Sequence, residues 1–115
     1  MGKFFVDTKD LVRVSFPDGE WIDVKEELNQ TDQDYILDSM AKAILGSPPL
    51  VIEMRLGRLA LLERSIVAWS FKDEEKPIPL TKENISNLRV CYRGEVLNKI
   101  NELAEKATSY LLKNA

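Results

Sequence analysis

The chain has 115 residues, of which 44% are hydrophobic and 30% are charged, and this length and balance predict a single globular domain over residues 1–115. It contains no histidine, which removes the commonest metal ligand and the usual general base near neutral pH. Zinc sites and histidine-assisted nucleophilic catalysis are therefore excluded. We expect no enzymatic activity and no cofactor.

The charge is unevenly distributed along the chain, although its net value is only −3. Residues 1–50 carry five Lys/Arg and ten Asp/Glu, a balance of −5, whereas residues 51–115 carry eleven and nine, a balance of +2. Neither half has a basic run, which argues against nucleic-acid binding. Cys91 is the single cysteine, so no intrachain disulfide can form and a reducing cytoplasm is the simplest setting.

No stretch of the sequence has the pattern of a membrane segment. The N-terminus lacks the apolar core of a signal peptide, and Val6 stands where N-myristoylation requires Ser or Thr. The longest apolar stretch is interrupted by Arg55, Arg58, Glu63 and Arg64, which argues against a membrane-spanning helix. We therefore expect a soluble protein with no membrane partner.

Two alternating runs near the N-terminus predict a β-hairpin. Leu11–Phe16 places every second apolar side chain on one face, and Trp21–Val24 alternates in the same way. Between them, Pro17–Asp18–Gly19 supplies turn chemistry, because proline presets φ and glycine accepts a positive φ. A hairpin alone is marginally stable in water, so its apolar face should pack on a helix.

The segment after the hairpin predicts a helix that begins at Thr31. This threonine is a suitable N-cap, and Asp32 and Asp34 follow in a first turn that favours negative charge. Apolar residues then recur at three- and four-residue intervals until Gly46, a natural end point. Solvated surface charge explains the aspartates, including Asp38, better than a cation site does, because their spacing matches no calcium loop.

Val51–Pro79, which is apolar up to Trp69 and Phe71 and then becomes an acidic, proline-bearing loop, is the segment around which we expect the rest of the chain to pack. A helix over about residues 54–71 would be apolar almost all round, as is typical of a helix buried on several sides or at a subunit contact. Leu50–Ile52 is compatible with a strand as well. Gly57 indicates close approach of another backbone, because glycine costs a helix about 1 kcal/mol relative to alanine.

The rest of the sequence predicts a charged loop and two helices. The loop Lys72–Pro79 is stiffened by its prolines, Thr81 caps a short helix, and a last helix begins near Tyr92 or Gly94. The face of the last helix that should be buried carries Val96, Ile100, Leu103, Ala107 and Tyr110 or Leu111. The fold class is thus α+β, with an N-terminal β-hairpin, or small antiparallel sheet, packed on three to four helices that include the central hydrophobic one.

Aromatic and basic residues of the central stretch are the candidate contact residues. Trp69 lies beside Phe71 at the end of the predicted helix, where a partly open aromatic cluster can anchor a partner. Core packing is the alternative for Trp69 and equally for Trp21. Arg58 and Arg64 interrupt the apolar stretch, so they are expected either to pair with carboxylates of the fold or to contact an acidic partner surface.

Two stretches of the sequence resemble a known family. The first is DGEWIDVKEELNQTDQDYI (18–36), and the second is LLERSIVAWSFKDEEKPIPLTKENISNL (61–88), with its Trp-Ser dipeptide, charged loop and Pro-x-Pro. Together they resemble the small tail assembly chaperones and related tail-region proteins of long-tailed, siphovirus-like bacteriophages. One position departs from the pattern, because Glu75 stands where a glycine is expected before Lys76.

The resemblance implies a non-catalytic protein of the host-cell cytoplasm. Such a chaperone would bind the tape measure protein, keep its long hydrophobic helices soluble and recruit tail tube subunits, and it would be absent from the mature virion. Because it would coat an elongated client, we also expect self-association. We expect Trp69, Phe71, Arg58 and Arg64 to contact the partner.

Two other classes of function stay open on the sequence alone. One is a structural virion protein of the head–tail connector or tail completion type, which would be present in purified particles. The other is a small cytosolic enzyme or regulator. The second class is disfavoured, because the sequence has neither histidine nor a glycine-rich phosphate loop nor a paired-carboxylate motif.

Overall fold

The computed structural model describes the backbone of residues 4–7, 9–45 and 50–113, and the side chains of residues 4–7, 9–41 and 57–109. The predicted α+β class is confirmed, since an antiparallel three-stranded sheet is combined with helices. In chain order the elements are β1 (Leu11–Ser15), β2 (Trp21–Lys25), α1 (Gln30–Leu45), α2 (Leu50–Ser65), β3 (Ile66–Trp69), β4 (Lys72–Asp73), β5 (Lys76–Pro77), α3 (Lys82–Ser86) and α4 (Val90–Lys113). None of the helices in these ranges is both long and apolar enough to cross a bilayer.

The predicted hairpin is confirmed as strands β1 and β2. The two strands are antiparallel, with Val12 opposite Val24 and Val14 opposite Ile22. In the connecting turn, Gly19 has a φ of +88°, a left-handed conformation that glycine adopts without steric penalty. The inward face of the hairpin is fully buried at Ile22 and Val24, so it forms one wall of the core.

The sheet has a third strand in a region that the sequence pattern assigns to the central helix. Helix α2 ends at Ser65, and β3 begins at the next residue and pairs antiparallel with β2. Val67 is an extra residue in this pairing, opposite the step from Asp23 to Val24, and so forms a β-bulge. The prediction of one helix over about residues 54–71 is therefore wrong beyond residue 65. The last part of the stretch, residues 66–69, follows the two-residue period of a strand, which adds apolar residues on further sides of a helical wheel.

The hydrophobic core lies between the sheet, α2 and α4. On the predicted inward face of α4, burial is confirmed for Val96, Ile100 and Leu103, while Ala107 is half-buried; Ile85 of α3 is buried as well. The buried members of the hydrophobic core are Val14, Phe16, Ile22, Val24, Leu62, Ile66, Ile85, Val96, Ile100 and Leu103. Of the apolar side chains described for residues 57–71, Ala60, Leu62 and Ile66 are buried, Val67 is 40% exposed, and the others are half-buried.

Gly57 lies where α1 and α2 pack against each other. A Cβ atom at this position would be 3.2 Å from both Cγ and Sδ of Met40, which is closer than ordinary van der Waals contact. The predicted close approach is therefore present, but a side chain of α1 makes it rather than another backbone. A glycine in the middle of a helix allows the two helices to pack around this methionine.

Helix α1 begins with a capping box built on Asn29 and Asp32. Asn29 Oδ1 accepts a hydrogen bond from the Asp32 N–H at 2.9 Å, and Asp32 Oδ2 accepts one from the Asn29 N–H at 3.2 Å. Each side chain thus satisfies a backbone donor of the other, and the predicted cap at Thr31 is wrong by two residues. The predicted cap of α3 is confirmed, since Thr81 Oγ1 accepts from the Asn84 N–H at 3.1 Å.

Some boundaries were predicted only approximately. Helix α2 includes Leu50–Ile52, so the alternative of a strand there is wrong. Helix α4 begins at Val90, slightly before the predicted start at Tyr92 or Gly94. The predicted helix end at Gly46 lies outside the residues that the structure describes, as do the side chains of Tyr110 and Leu111.

The predicted loop after β3 contains a tight two-stranded ribbon. Strands β4 and β5 pair antiparallel, with Lys72 opposite Pro77. Between them, Glu74 and Glu75 have φ values of +50° and +68°. Positive φ at both central positions is the geometry of a type I′ turn, which favours asparagine and glycine. Glu75, the residue found where the family pattern has glycine, therefore adopts a backbone conformation that suits glycine.

Candidate functional site

Four aromatic rings form a row that starts at two of the predicted contact residues. The ring centroids of Trp69 and Phe71 are 5.3 Å apart, and those of Phe71 and Tyr92 are 5.0 Å apart. Phe16 continues the row at 4.8 Å from Tyr92, in an edge-to-face arrangement. These separations are typical of favourable aromatic pairs. The row joins the hairpin, the end of β3 and the start of α4.

The indole of Trp69 is held by the loop that follows it. Its Nε1–H donates to the carbonyl oxygen of Ile78 at 2.8 Å, and the Ile78 N–H donates to the carbonyl of Phe71 at 3.0 Å. The β4–β5 ribbon is therefore closed at its base by contacts with both aromatic residues. Because its N–H is engaged within the fold, Trp69 offers a ligand the face of its ring rather than a donor.

Tyr92 is oriented by the turn of the hairpin. Its hydroxyl donates a hydrogen bond to the carboxylate of Asp18, which also accepts from the Glu20 N–H at 2.9 Å. The bond to Asp18, together with desolvation, raises the pKa of Tyr92 to about 12, and the same bond lowers the pKa of Asp18. Since this bond favours the neutral phenol and the ionised carboxylate, both groups are held in those forms at neutral pH.

The first three rings of the row line a shallow cleft of about 270 Å³. Its side chains are half-buried or exposed, so their outer surfaces are accessible. The lining consists of Trp69, Phe71, Ile78, Asn84, Asn87, Leu88, Arg89 and Tyr92; we call it the aromatic cleft. One amide N–H of Asn84 is occupied, because Nδ2 donates to the carbonyl of Pro79 at 2.8 Å. The cleft thus combines an apolar aromatic surface with a few polar groups.

The two predicted arginines do not line this cleft. Arg64 Nε donates to Asp32 Oδ1 at 2.8 Å, and the guanidinium lies 5.3 Å from the ring centroid of Tyr35. Arg58 is exposed on α2 and has no carboxylate at ion-pairing distance among the described residues. The structure therefore brings Trp69 and Phe71 together and leaves both arginines outside their cleft.

Asp32 is a buried structural group rather than a solvated surface charge. It is 1% exposed, and its Oδ1 lies 2.9 Å from Lys25 Nζ as well as 2.8 Å from Arg64 Nε. Burial alone would raise its pKa, but hydrogen bonds from Lys25, Arg64 and the Asn29 backbone outweigh that effect and lower it. This pairing supports the interpretation that Arg64 binds a carboxylate of its own fold.

Trp21, the other tryptophan, lies on the outer face of the sheet. The guanidinium of Arg13 stacks over its ring at 3.8 Å from the centroid and donates from Nε to Asp23 Oδ1 at 2.8 Å. Trp21 is half-buried under this arginine and lines neither the core nor the aromatic cleft. The two tryptophans therefore have different environments and can be compared directly by mutation.

Six of the eight residues that line the cleft were not predicted as contact residues, and Arg89 and Tyr92 are two of them. Both belong to LRVCYR (88–93), in which an aromatic residue is flanked by arginines. That composition alone does not distinguish a site from an ordinary helix start. Their position beside Trp69 depends on how α4 packs against the end of β3, which is a tertiary relationship.

Neither the arrangement of metal-ligating side chains nor the comparison with known proteins points to a function. Among the residues that the structure describes, no group of three His, Cys, Asp or Glu side chains is arranged to hold a metal ion. Comparison of the chain with models of protein families, with curated proteins and with solved structures finds no match. A function therefore has to be argued from the aromatic cleft and from the two stretches that carry the resemblance.

Proposed function

We propose that this chain is a non-catalytic phage tail assembly chaperone that binds the tape measure protein and recruits tail tube subunits. The observation that carries the proposal is that the two stretches of the resemblance form one packed unit. Residues 18–36 and 61–88 contribute the neighbouring strands β2 and β3. They are also joined by the Trp21 N–H, which donates to Ser70 Oγ at 2.8 Å. A shared sequence pattern that folds into one unit supports a shared structural role.

The aromatic cleft lies at one end of this unit and suits an apolar client. Rigid aromatic side chains supply a large contact area while losing little conformational entropy. Trp, Tyr and Arg, all present in the cleft, are the residues most enriched among energetic hot spots of interfaces. Its volume of about 270 Å³ lies at the lower end of the range for ligand pockets, so the aromatic lining rather than the size is the argument for a protein client.

Within this proposal, three of the four predicted contact residues keep a direct role. Trp69 and Phe71 contact the client through the cleft, and Arg58 is exposed and unpaired within the described part of the chain. Arg64 acts through the fold, because Asp32 engages it. The protein would work in the host cytoplasm, self-associate along the client and leave before the tail is complete.

The test is co-expression with the tape measure protein and the tail tube protein of the same phage. We expect the chain to raise the soluble fraction of the tape measure protein and to co-purify with it and with tube subunits. Trp69→Ala should reduce co-purification, whereas Trp21→Ala, on the outer face of the sheet, should not. Circular dichroism of both variants checks that they are folded. The proposal is refuted if the solubility of the tape measure protein is unchanged and no tube subunit binds.

Mass spectrometry of purified particles separates this proposal from the other phage function. A chaperone that leaves the finished tail is absent from mature virions. A structural protein of the head–tail connector or tail completion type is present in fixed copy number. Recovery of the chain from particles in stoichiometric amounts would therefore replace the chaperone role by the structural one.

A further inference from the structure

The aromatic cleft has a positively charged side. Arg89, the residue before α4, lines the cleft and is exposed, and Arg93, half-buried, lies four residues further on within α4. Among the described residues, neither arginine has a carboxylate at ion-pairing distance. A guanidinium offers a planar set of donors that matches a carboxylate in a bidentate arrangement. An arginine without an ion pair beside accessible aromatic rings can therefore bind an acidic ligand.

Two other arginines of the same fold are engaged, whereas Arg58, on α2 and away from the cleft, is exposed and has no ion pair among the described residues. Arg13 binds Asp23 and stacks on Trp21, and Arg64 binds Asp32. The carboxylate that reaches the cleft residue Tyr92 is that of Asp18, and it accepts the phenol hydroxyl. Within the part of the chain that the structure describes, the guanidinium groups at the cleft therefore have no acidic partner.

We propose that the aromatic cleft binds an acidic, apolar peptide segment of the partner protein. A large apolar side chain of that segment packs on Trp69, Phe71 and Tyr92, while a neighbouring carboxylate pairs with Arg89 and a second one with Arg93. Charge complementarity selects this occupant, because a basic segment would be repelled by the same two cations. The inference rests on the proposed protein-binding function and adds the chemistry of the client.

The two parts of this contact respond differently to salt. The screening length falls from about 10 Å at 0.1 M salt to about 3 Å at 1 M, so pairing with Arg89 and Arg93 weakens as salt is added. Packing on the aromatic rings depends on apolar area and does not weaken in this way. Binding of an acidic peptide should therefore decrease with salt to a residual level set by the apolar side chain.

The experiment measures binding of two short peptides that contain no tryptophan. One is acetyl-DELFEDL-amide, and the other is acetyl-KKLFKKL-amide, which keeps the central Leu-Phe and reverses the charge. Trp21→Phe provides a background in which Trp69 is the single tryptophan, so a change in tryptophan emission reports on the cleft. We expect the acidic peptide to bind about tenfold more tightly than the basic one, the effect of one charge-assisted hydrogen bond.

Charge variants in that background assign the preference to the cleft. Arg89→Glu should remove the preference for the acidic peptide. Arg89→Gln is the milder change and should reduce this preference, and it serves as the test if the charge reversal disturbs folding. Lys106→Glu is the matched control, because Lys106 is exposed on α4 but does not line the cleft, and it should leave the preference intact. Equal affinity for the two peptides, or an unchanged preference in Arg89→Gln, would overturn the inference.

The outcomes also separate this inference from the proposed function. If the tape measure protein binds wild type and Arg89→Glu equally well, the acidic segment is wrong and the chaperone function stands. If the acidic peptide binds but the tape measure protein does not, the function is wrong and the preference of the cleft stands. If neither peptide binds while Arg89→Glu dissociates a dimer in analytical ultracentrifugation, the occupant is a second copy of this chain and the inference is overturned.

Discussion

Arg64 donates its Nε–H to Oδ1 of Asp32 at 2.8 Å, and this bond ties the C-terminal end of α2 to the N-terminal end of α1. The carboxylate is 1% exposed, whereas the arginine is 34% exposed. The buried partner is therefore the acid, and it also caps α1. When it is removed, the arginine can still reach water, so the loss should be moderate for a buried ion pair.

Asp32→Asn should lower the free energy of unfolding by about 3 kcal/mol, the low end of the range for breaking a buried pair. Urea denaturation followed by circular dichroism measures the change. Asp34→Asn is the matched control, because Asp34 is exposed in the same helical turn and accepts a bond from Gln30; it should change stability by no more than about 0.5 kcal/mol. Equal effects of the two substitutions would contradict the assignment.

The same carboxylate should make stability depend on acid pH. Its pKa is lowered in the folded state, relative to about 3.9 in an unfolded chain. The stabilisation is therefore complete above that ordinary value and is lost as pH falls through the lowered folded value. Unfolding free energies measured from pH 7 to pH 2 should show wild type and Asp32→Asn converging at the acid end. A gap between them that stays constant with pH would contradict this linkage.

The pKa of Tyr92 should depend on the carboxylate of Asp18. The pKa of Tyr92 is about 12, and Asp18→Asn should bring it towards the ordinary value of about 10. Because the folded pKa is raised, the contribution of this bond to stability is complete below about pH 10 and is lost as pH rises through about 12. NMR of the ring carbon that carries the hydroxyl follows the titration of Tyr92 alone. An unchanged midpoint in the variant would show that Asp18 is not the cause.

Glu75→Gly should stabilise the protein. A non-glycine residue in the left-handed region costs roughly 1 kcal/mol, and the φ of Glu75 is +68°. Part of the gain is offset because glycine is more flexible in the unfolded chain, so we expect a net increase of about 0.5 kcal/mol in urea denaturation. Lys72→Gly in β4 is the control and should destabilise, since Lys72 has no positive φ. A loss of stability in Glu75→Gly would argue against the type I′ turn.

Gly57 and Met40 should be coupled energetically. Alanine is favoured over glycine in a helix by about 1 kcal/mol, but its Cβ would be 3.2 Å from Cγ and Sδ of Met40. Gly57→Ala should therefore be close to neutral in wild type and stabilising in a Met40→Ala background. A double-mutant cycle by urea denaturation measures the difference, which we expect to be about 1 kcal/mol. Additive effects would show that the methionine moves aside freely.

Local features of the fold were predictable from the sequence. Pro17–Asp18–Gly19 specifies a turn by its own chemistry, and Thr81 can cap a helix three residues ahead of Asn84. The strand of β3 was not predictable in the same way. Ile66 follows Ser65 with no glycine or proline between helix and strand, and β3 is defined by pairing with β2, which is far away in sequence. Its period of two is too short to be recognised within an apolar stretch.

The candidate site was predictable only in part. Trp69 and Phe71 stood out because large aromatic residues are rare and close together in the sequence. Arg89 and Tyr92 join them through the packing of α4, which no local pattern encodes. The ribbon between β3 and α3 escaped prediction because Glu74 and Glu75 are not residues that type I′ turns favour.

The direct junction of Ser65 and Ile66 has a mechanical consequence. A connecting loop would let the pair of helices α1 and α2 swivel relative to the sheet, but here one backbone passes from helix to strand without a spare residue. A displacement of α1 and α2 would therefore be transmitted directly to β3, the strand that ends at Trp69. The indole of Trp69 would move with it.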